Sequence, residues 1–345
     1  MVQENGSDGA RFQIPAPYLL LVGDAQSRLA AKTAVGVAHW RPEAVAGQLR
    51  FSKDAIDLGV PDMDVAAAAR AGVRTLMIGI APSGGRLPEA WVDTITSALR
   101  AGLDVASGLH VRLADHPAIA AAQRESGRQV MDVRFPSGPL RIGTGARRSG
   151  KRVLAVGVDC AVGKMFTTLA IDRALRARGV KSDFRATGQT GIFIAGAGIC
   201  VDAVISDFVA GEAERLSPDN APEHWDVIEG QGSLFHPAYA GVSLGLLHGS
   251  QADALVMCGE LGREHLHGVP GYRVPDLQDC IDLNQRMARL TNPDVRCVGV
   301  AVNSSRLPPS EAEAAMHAIA AATGLPCVDP VRTGVEPIVD RLLAL

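Results

Sequence analysis

The stretch GVDCAVGKMFTT, residues 157–168, sets Gly157, Gly163 and Lys164 at spacings that suit phosphate binding. Glycines let a backbone fold tightly enough for several N–H groups to point inward, and a following helix N-terminus adds partial positive charge. A lysine supplies a full positive charge to phosphate oxygens. The next residue of such a loop is ordinarily Ser or Thr, whose hydroxyl holds Mg²⁺. Here it is Met165. The pattern predicts a phosphate cradle made by Gly157, Asp159, Cys160, Ala161, Val162, Gly163, Lys164 and Met165 that lacks its usual magnesium ligand. Thr167 and Thr168 follow on other faces of the helix and substitute only in part. A Gly-rich turn with a surface lysine is the plainer alternative. The order strand, glycine loop, helix weighs against it.

Five residues separate Gly157 from Gly163, one more than in the common GxxxxGK[ST] form. The loop is similar to the G-x-D-x-x-x-G-K loop of dethiobiotin synthetase and its relatives, in which Thr follows the lysine. A ligand with phosphates but no need of metal fits the departure. Coenzyme A, with a pyrophosphate and a 3′-phosphate, is such a ligand.

Three further clusters carry polar groups at the ends of apolar runs. RATGQTGIFIAG (185–196) offers Arg185 to pair with a substrate carboxylate, and Gln189 or Thr190 to orient it; a tight turn with a surface arginine is an equal alternative. In DVIEGQGSLFHP (226–237), Glu229 ends a strand-like run where a metal-holding or proton-accepting acid is expected, and Ser233 and His236 follow. A partly buried carboxylate with a raised pKa would suit proton abstraction from an amine; a solvated strand-end acid is the alternative. CGELGREHLHGVPGYRVPD (258–276) holds His265 and His267, with Glu260 and Glu264 nearby and His248 upstream. Zinc ligation there lacks Cys partners and helical HExxH spacing, so a substrate-covering loop is favoured, with Tyr272 and Arg273 placed for an acidic ligand. Asn303 ends GVAVNSS at a position suited to an adenine ring.

These residues need a scaffold that lines up strand ends. Strand-like runs fall at 17–23, 74–80, 103–108, 129–135, 152–158, 182–188, 225–230, 252–259 and 295–303. Helical stretches are expected at 88–101, 164–178, 199–215, 276–290 and 309–323. The alternation predicts α/β architecture with mostly parallel sheets and right-handed crossovers. The Gly-, Pro- and Arg-rich segment 135–152 reads as a linker. It divides a Rossmann-like N-terminal domain (1–140) from a P-loop NTPase-like, dethiobiotin-synthetase-like C-terminal domain (141–345).

With 345 residues the chain can bury two cores. Its net charge of −3 without basic runs argues against nucleic acid or an anionic membrane as partner, and 4% aromatics argue against base stacking. No apolar run reaches a membrane span, and the N-terminal MVQENGSDGARF lacks the order of a signal peptide. Six cysteines without a CxxC pair are expected as reduced thiols, and the protein as cytoplasmic. Doubly wound enzymes of this size commonly pair, so a homo-oligomer is expected.

Taken together, GVDCAVGKM, ATGQTGI, EGQGSLFHP and GVAVNSS resemble, over nearly the whole chain, the family long filed as a conserved domain of unknown function (DUF1611). That family is named for the DgcN-type D-amino-acid N-acetyltransferases. The resemblance implies a Rossmann-like domain, a phosphate-loop domain, and acetyl-CoA-dependent transfer onto the α-amine of a D-amino acid, D-glutamate in the family. Under it, the loop and Asn303 bind the co-substrate, Arg185, Gln189, Thr190, Ser233 and Arg273 bind the small-molecule substrate, and Glu229 or His236 is the base. No metal is required. A ping-pong route through Cys160 is the less favoured alternative. An ATP/Mg-dependent ligase of dethiobiotin synthetase type and a nucleotide-sensing module are the competing readings. An NAD(P) dehydrogenase ranks last, because VGDAQS (22–27) lacks GxGxxG.

Overall fold

The computed structural model describes residues 14–28, 30–80, 87–136 and 138–345. The N-terminal dodecapeptide discussed above lies outside the described residues.

The first half alternates strands and helices: β1 (Tyr18–Gly23), α1 (Lys32–Trp40), β2 (Val45–Arg50), α2 (Val65–Arg70), β3 (Thr75–Ile78), α3 (Glu89–Arg100), β4 (Asp104–Ser107), α4 (Pro117–Ser126) and β5 (Val130–Asp132). The strands form one parallel sheet in the order β2-β1-β3-β4-β5. Helices on both faces require a strand that is apolar on both sides. Leu19, Leu20, Leu21, Leu76 and Met77 accordingly have no exposed surface.

The second half runs β6 (Lys151–Gly157), α5 (Lys164–Ala177), β7 (Ser182–Arg185), α6 (Gln189–Ala195), α7 (Val209–Leu216), β8 (Trp225–Ile228), α8 (Ala240–Ser250), β9 (Ala254–Glu260), α9 (Leu277–Ala288), β10 (Arg296–Asn303), α10 (Pro309–Thr323), β11 (Cys327–Val328) and α11 (Glu336–Leu343). Its sheet is parallel, in the order β11-β10-β9-β6-β8-β7. β6 lies between β8 and β9, so the chain reverses its direction of travel across the sheet there. Ligands of open α/β sheets bind at that reversal, beyond the carboxyl ends of the strands. The segment from Gly157 to Lys164 occupies it.

By contacts, the compact units are 14–136 with Gly188–Ala203, and Gly138–Thr187 with Val204–Leu345. Helix α6 thus belongs with the first sheet, where it packs against α1. The Thr33 and Thr190 hydroxyls bond at 3.0 Å, and Arg41 Nη1 donates to the Ile194 carbonyl at 2.8 Å. The linker segment has no helix or strand from 138 to 150, yet it is not loose. Backbone N–H groups of Arg141, Thr144 and Ser149 donate to the carboxylates of Glu212, Glu214 and Asp219.

The helix expected over 199–215 is a correction. Only Val209–Leu216 is α-helical, after short 3₁₀ turns at Val201–Ala203 and Ser206–Phe208. Asp and Ser compete with helical hydrogen bonding in that stretch, and Asp202 is ion-paired to Arg134 instead.

Candidate active site

Strand β6 ends at Gly157, and the loop to α5 takes two left-handed residues, Ala161 at φ 52° and Gly163 at φ 100°. A non-glycine there costs of order 1 kcal/mol, a strain that loops at binding sites tolerate. Gly163 caps α5 with no side-chain hydrogen bond, and the positive end of this 14-residue helix's dipole faces the loop, where it favours an anion.

Lys164 folds back over the loop. Its Nζ donates to the Asp159 carbonyl at 2.7 Å, and a Cβ on Gly157 would stand 3.0 Å from that Nζ. Gly230, at the end of β8, is equally constrained, since a Cβ there would meet the Ala155 carbonyl at 1.6 Å and Lys164 Cδ at 3.0 Å. The ammonium is buried. Burial pulls its pKa below the ordinary lysine value, opposed by Cys258, Cys160, Asp159 and Glu229. A buried cation over a glycine floor is ready to exchange a carbonyl for a phosphate.

Neither threonine stands in for the missing metal hydroxyl. Thr167 Oγ1 donates to the Gly163 carbonyl and Thr168 Oγ1 to the Lys164 carbonyl, both being buried. Both hydroxyl protons are spent on the helix itself.

Asp159 is fully buried, and its carboxylate accepts from the N–H groups of Cys160 (2.6 Å) and His267 (2.7 Å) and from Arg263 Nη1 (2.6 Å). Arg263 also donates to the Cys160 and Ala161 carbonyls and pairs with Glu260, which Arg306 reaches from its other side. The 258–276 segment is thereby fastened to the phosphate loop. Within it, Leu266 and Tyr272, and Val274 and Glu264, pair through backbone hydrogen bonds.

His236 is buried with both ring nitrogens engaged. Nδ1 accepts from the Ala238 N–H at 3.1 Å, so Nε2 carries the proton and donates to the His267 carbonyl at 3.0 Å. Ser233 braces the loop from below, its hydroxyl donating to the Val158 carbonyl. Asp159, Cys160 and His236 place ligand atoms within 4.8 Å of one another, as a metal would need. A metal there would have to displace Arg263 from Asp159 and the Ala238 N–H or the His267 carbonyl from His236. His248, His265 and His267 form no such grouping among the described residues.

Glu229 follows β8 on the strand beside β6. It is buried, its Oε2 accepts the Thr187 N–H at 2.9 Å, and its carbonyl accepts the Thr187 hydroxyl at 2.7 Å. Gln231 donates to the same hydroxyl. Glu229 and Lys164 are close enough for the carboxylate to act on the ammonium's pKa. Asn303 ends β10 opposite Glu260, its Oδ1 accepting the Ser305 N–H and its NH₂ without an acceptor among the described residues.

The residues singled out for substrate are less gathered. Arg185 turns back along the sheet, pairing with the buried Asp226 at 2.9 Å and with Asp183 at 3.3 Å. Gln189 and Thr190 belong to the first unit. With its amide oriented so that oxygen and nitrogen both find complementary partners, Gln189 donates to the Gly108 carbonyl at 2.7 Å and accepts from Arg134 at 3.1 Å. Arg273 is exposed and opposite His265 in a backbone bridge. Arg263 and Thr187 were not anticipated; GELGRE offers an arginine after a strand end, but no spacing rule connects it to an aspartate 104 positions earlier.

Comparison with known proteins agrees with this architecture. Residues 141–339 match a family model described as a domain of unknown function, the DUF1611 C-terminal P-loop domain. Residues 48–136 match that family's N-terminal Rossmann-like domain. Curated relatives named D-glutamate N-acetyltransferase come from Tritonibacter scottomollicae and a Pseudoalteromonas species. They are 48% and 44% identical, over 96% of this chain and all of their own length. A crystal structure of a DUF1611 family protein from Anabaena variabilis superposes with a TM-score of 0.87 at 32% identity, over 96% of this chain and all of that one. Among the described residues no helix is long and apolar enough to cross a membrane. On sequence, domain composition and fold alike, the chain belongs to the DUF1611 family.

Proposed function

We propose that the protein is an N-acetyltransferase that moves the acetyl group of acetyl-CoA to the α-amine of D-glutamate. The names of the relatives support the acyl-transfer class and the acceptor. The observation that carries the donor is the phosphate loop itself, with a buried lysine, a helix N-terminus without a side-chain cap, Met165 at the metal position and both following threonines bonded to backbone. Such a loop suits a ligand whose phosphates travel without magnesium.

In this reading Lys164 leaves the Asp159 carbonyl for the phosphates of the co-substrate, and Asn303 donates to the adenine. Glu229 is the base. Its Thr187 hydrogen bond holds the carboxylate at the sheet's carboxyl edge, where it takes a proton from the substrate ammonium. The freed amine attacks the thioester carbon, a C–N bond forms, and the C–S bond breaks as the oxyanion collapses. Glu229 passes that first proton to solvent, takes the second from the nitrogen made cationic by C–N bond formation, and gives it to the departing thiolate, so the products are the amide, the CoA thiol and one released proton. In this reading N–H groups of the turn from Gly230 to Ser233 stabilise the oxyanion, a contribution worth a few kcal/mol in acyl transfer. Arg273, exposed on the loop after β9, meets the substrate carboxylates. His236 and Ser233 position the loop rather than react.

Incubation of the protein with acetyl-CoA and a panel of D- and L-amino acids, with chelator present, tests this by release of free thiol. Thiol is expected with D-glutamate and not with L-glutamate. Absence of thiol across the panel, with stabilisation by Mg-ATP but not CoA, would overturn it in favour of a ligase.

A further inference from the structure

From the phosphate loop the second sheet continues through β9, β10 and β11, with neighbouring strands ~4.8 Å apart. At the same carboxyl edge, the loop after β10 carries Ser304, Ser305, Arg306 and Leu307, and the loop after β11 begins at Asp329. The buried Asp329 carboxylate ties these two loops together. Its Oδ2 accepts the Ser304 N–H at 3.0 Å and the Ser304 hydroxyl at 2.6 Å. Its Oδ1 accepts the N–H groups of Val331 at 2.9 Å and Arg332 at 3.1 Å. Arg332 Nη1 in turn donates to the Leu307 carbonyl at 3.1 Å, which brings that guanidinium to the residue after Arg306.

Arg306 is held at one corner only. Its Nε donates to Glu260 Oε1 at 2.8 Å, while Arg263 takes the other oxygen of that carboxylate. Glu260 is 7% exposed and the Arg306 side chain 55%. Both terminal nitrogens of Arg306, and Nε and Nη2 of the exposed Arg332, have no acceptor among the described residues. The nearby carboxylates, Glu260 and Asp329, are already engaged. What is left is two anchored guanidiniums with donors turned outward. Planar forks of that kind suit a phosphate, which two arginines can grip through several charge-assisted bonds.

We propose that Arg306 and Arg332 take the 3′-phosphate of coenzyme A and make the site select coenzyme A over ligands that lack that group. The inference rests on acetyl-CoA as the donor. With the pyrophosphate at Lys164 after β6 and the adenine at Asn303 after β10, two strand spacings or ~10 Å apart, the intervening ribose directs its 3′-phosphate to the loop that begins with Asn303. That loop is the one Arg306 and Arg332 flank.

Calorimetry of the full chain with coenzyme A and with 3′-dephospho-coenzyme A tests the assignment in the parent, Arg306→Gln, Arg332→Gln and the double variant. The parent should bind coenzyme A about tenfold more tightly or better, the scale of one charge-assisted contact. Each substitution should move that ratio toward one and leave the affinity for the dephospho form unchanged. A merely structural role would weaken both ligands alike and keep the ratio. Equal affinities in the parent, or a ratio that survives in the double variant, overturn the assignment and leave the donor reading standing. A variant whose KM for D-glutamate rises while the ratio holds would give the arginines to the acceptor's carboxylates and likewise overturn it. Failure of the parent to bind either ligand removes the donor reading and the assignment with it.

Discussion

The Asp159 carboxylate and the Arg263 guanidinium meet at 2.6 Å, and through that pair the loop after β9 holds the phosphate loop after β6. Asp159 is fully buried and Arg263 shows a tenth of its side chain. Removing one partner of such a pair leaves a charge without compensation, at a cost of about 3 kcal/mol or more. Arg263→Met should therefore lower the midpoint of chemical denaturation and raise the KM for acetyl-CoA together. A double-mutant cycle with Asp159→Asn should return a coupling energy well above the ~0.5 kcal/mol seen for independent sites.

Lys164 is expected to trade stability for binding. Its ammonium is held below the ordinary lysine pKa by burial. Between the folded value and the unfolded one the unfolded chain binds more protons, so stability rises with pH across that window. Below the folded value the whole desolvation cost is present. Lys164→Met should thus melt higher than the parent at pH 7 and lose the alkaline rise in stability. Its KM for acetyl-CoA should climb tenfold or more, since a charge-assisted contact is worth ~1.5–3 kcal/mol. Thermal scans from pH 7 to 10.5 with matched kinetics check both halves.

The strands carrying this site were readable because both their faces are covered. RVLAVGV (152–158) and ADALVMCG (252–259) are predominantly apolar runs, and β6 and β9 match them within two residues at each end. β2, VAGQLR, carries Gln48 and Arg50 on the sheet edge and broke the apolar pattern. Helix α8 escaped because Gly241, Gly245 and Gly249 depress helix propensity. Two of them are spaced for packing, since a Cβ on Gly245 would stand 2.8 Å from Val209 and one on Gly249 2.1 Å from the Ala210 carbonyl. The phosphate loop was legible as a local motif. Arg185 misled because an arginine at a strand end has the same letter whether it faces a ligand or, as here, a buried Asp226 on the next strand. Gln189 and Thr190 follow the same strand in sequence yet bond within the other compact unit. Such choices depend on partners far along the chain, which spacing does not encode.

Glu229 and His236 should separate cleanly in kinetics. Glu229→Gln keeps an oxygen for the Thr187 N–H, so the fold should hold while kcat falls by ~10² or more, the scale of general base catalysis. His236 has both nitrogens in structural hydrogen bonds. His236→Asn should mainly raise KM, through the loop it ties to His267, and lower the melting temperature. A larger kcat loss in the His236 variant would reverse the roles.

The cysteines allow a test of the covalent route. Burial pushes Cys258 and Cys297 up to about 11, and Cys280 and Cys327 up to about 12. At pH 8 their thiolate fractions are about one in a thousand or less, too small for useful reactivity. Iodoacetamide should therefore modify the half-buried Cys160 before these four, and CoA should slow it. Cys160→Ala should retain acetyl transfer with intersecting rather than parallel double-reciprocal lines. Loss of transfer in that variant would establish an acetyl-enzyme.

Met165 separates metal-free phosphate binding from the magnesium-dependent kind. Its neighbours Thr167 and Thr168 are bonded to helix carbonyls, so the position has no hydroxyl to lend. Acetyl transfer should be indifferent to EDTA, and Mg-ATP should stabilise the parent protein no more than magnesium-free ATP does. Met165→Thr puts a hydroxyl in the place a nucleotide-hydrolysing loop requires. In that variant thermal stabilisation by ATP should become magnesium-dependent, while the acetyl-CoA KM changes little because the lysine and the helix N-terminus are untouched. If magnesium already enhances ATP stabilisation of the parent, another residue supplies the ligand. The loop would then be an ATP site, and its fit to coenzyme A would fall with it.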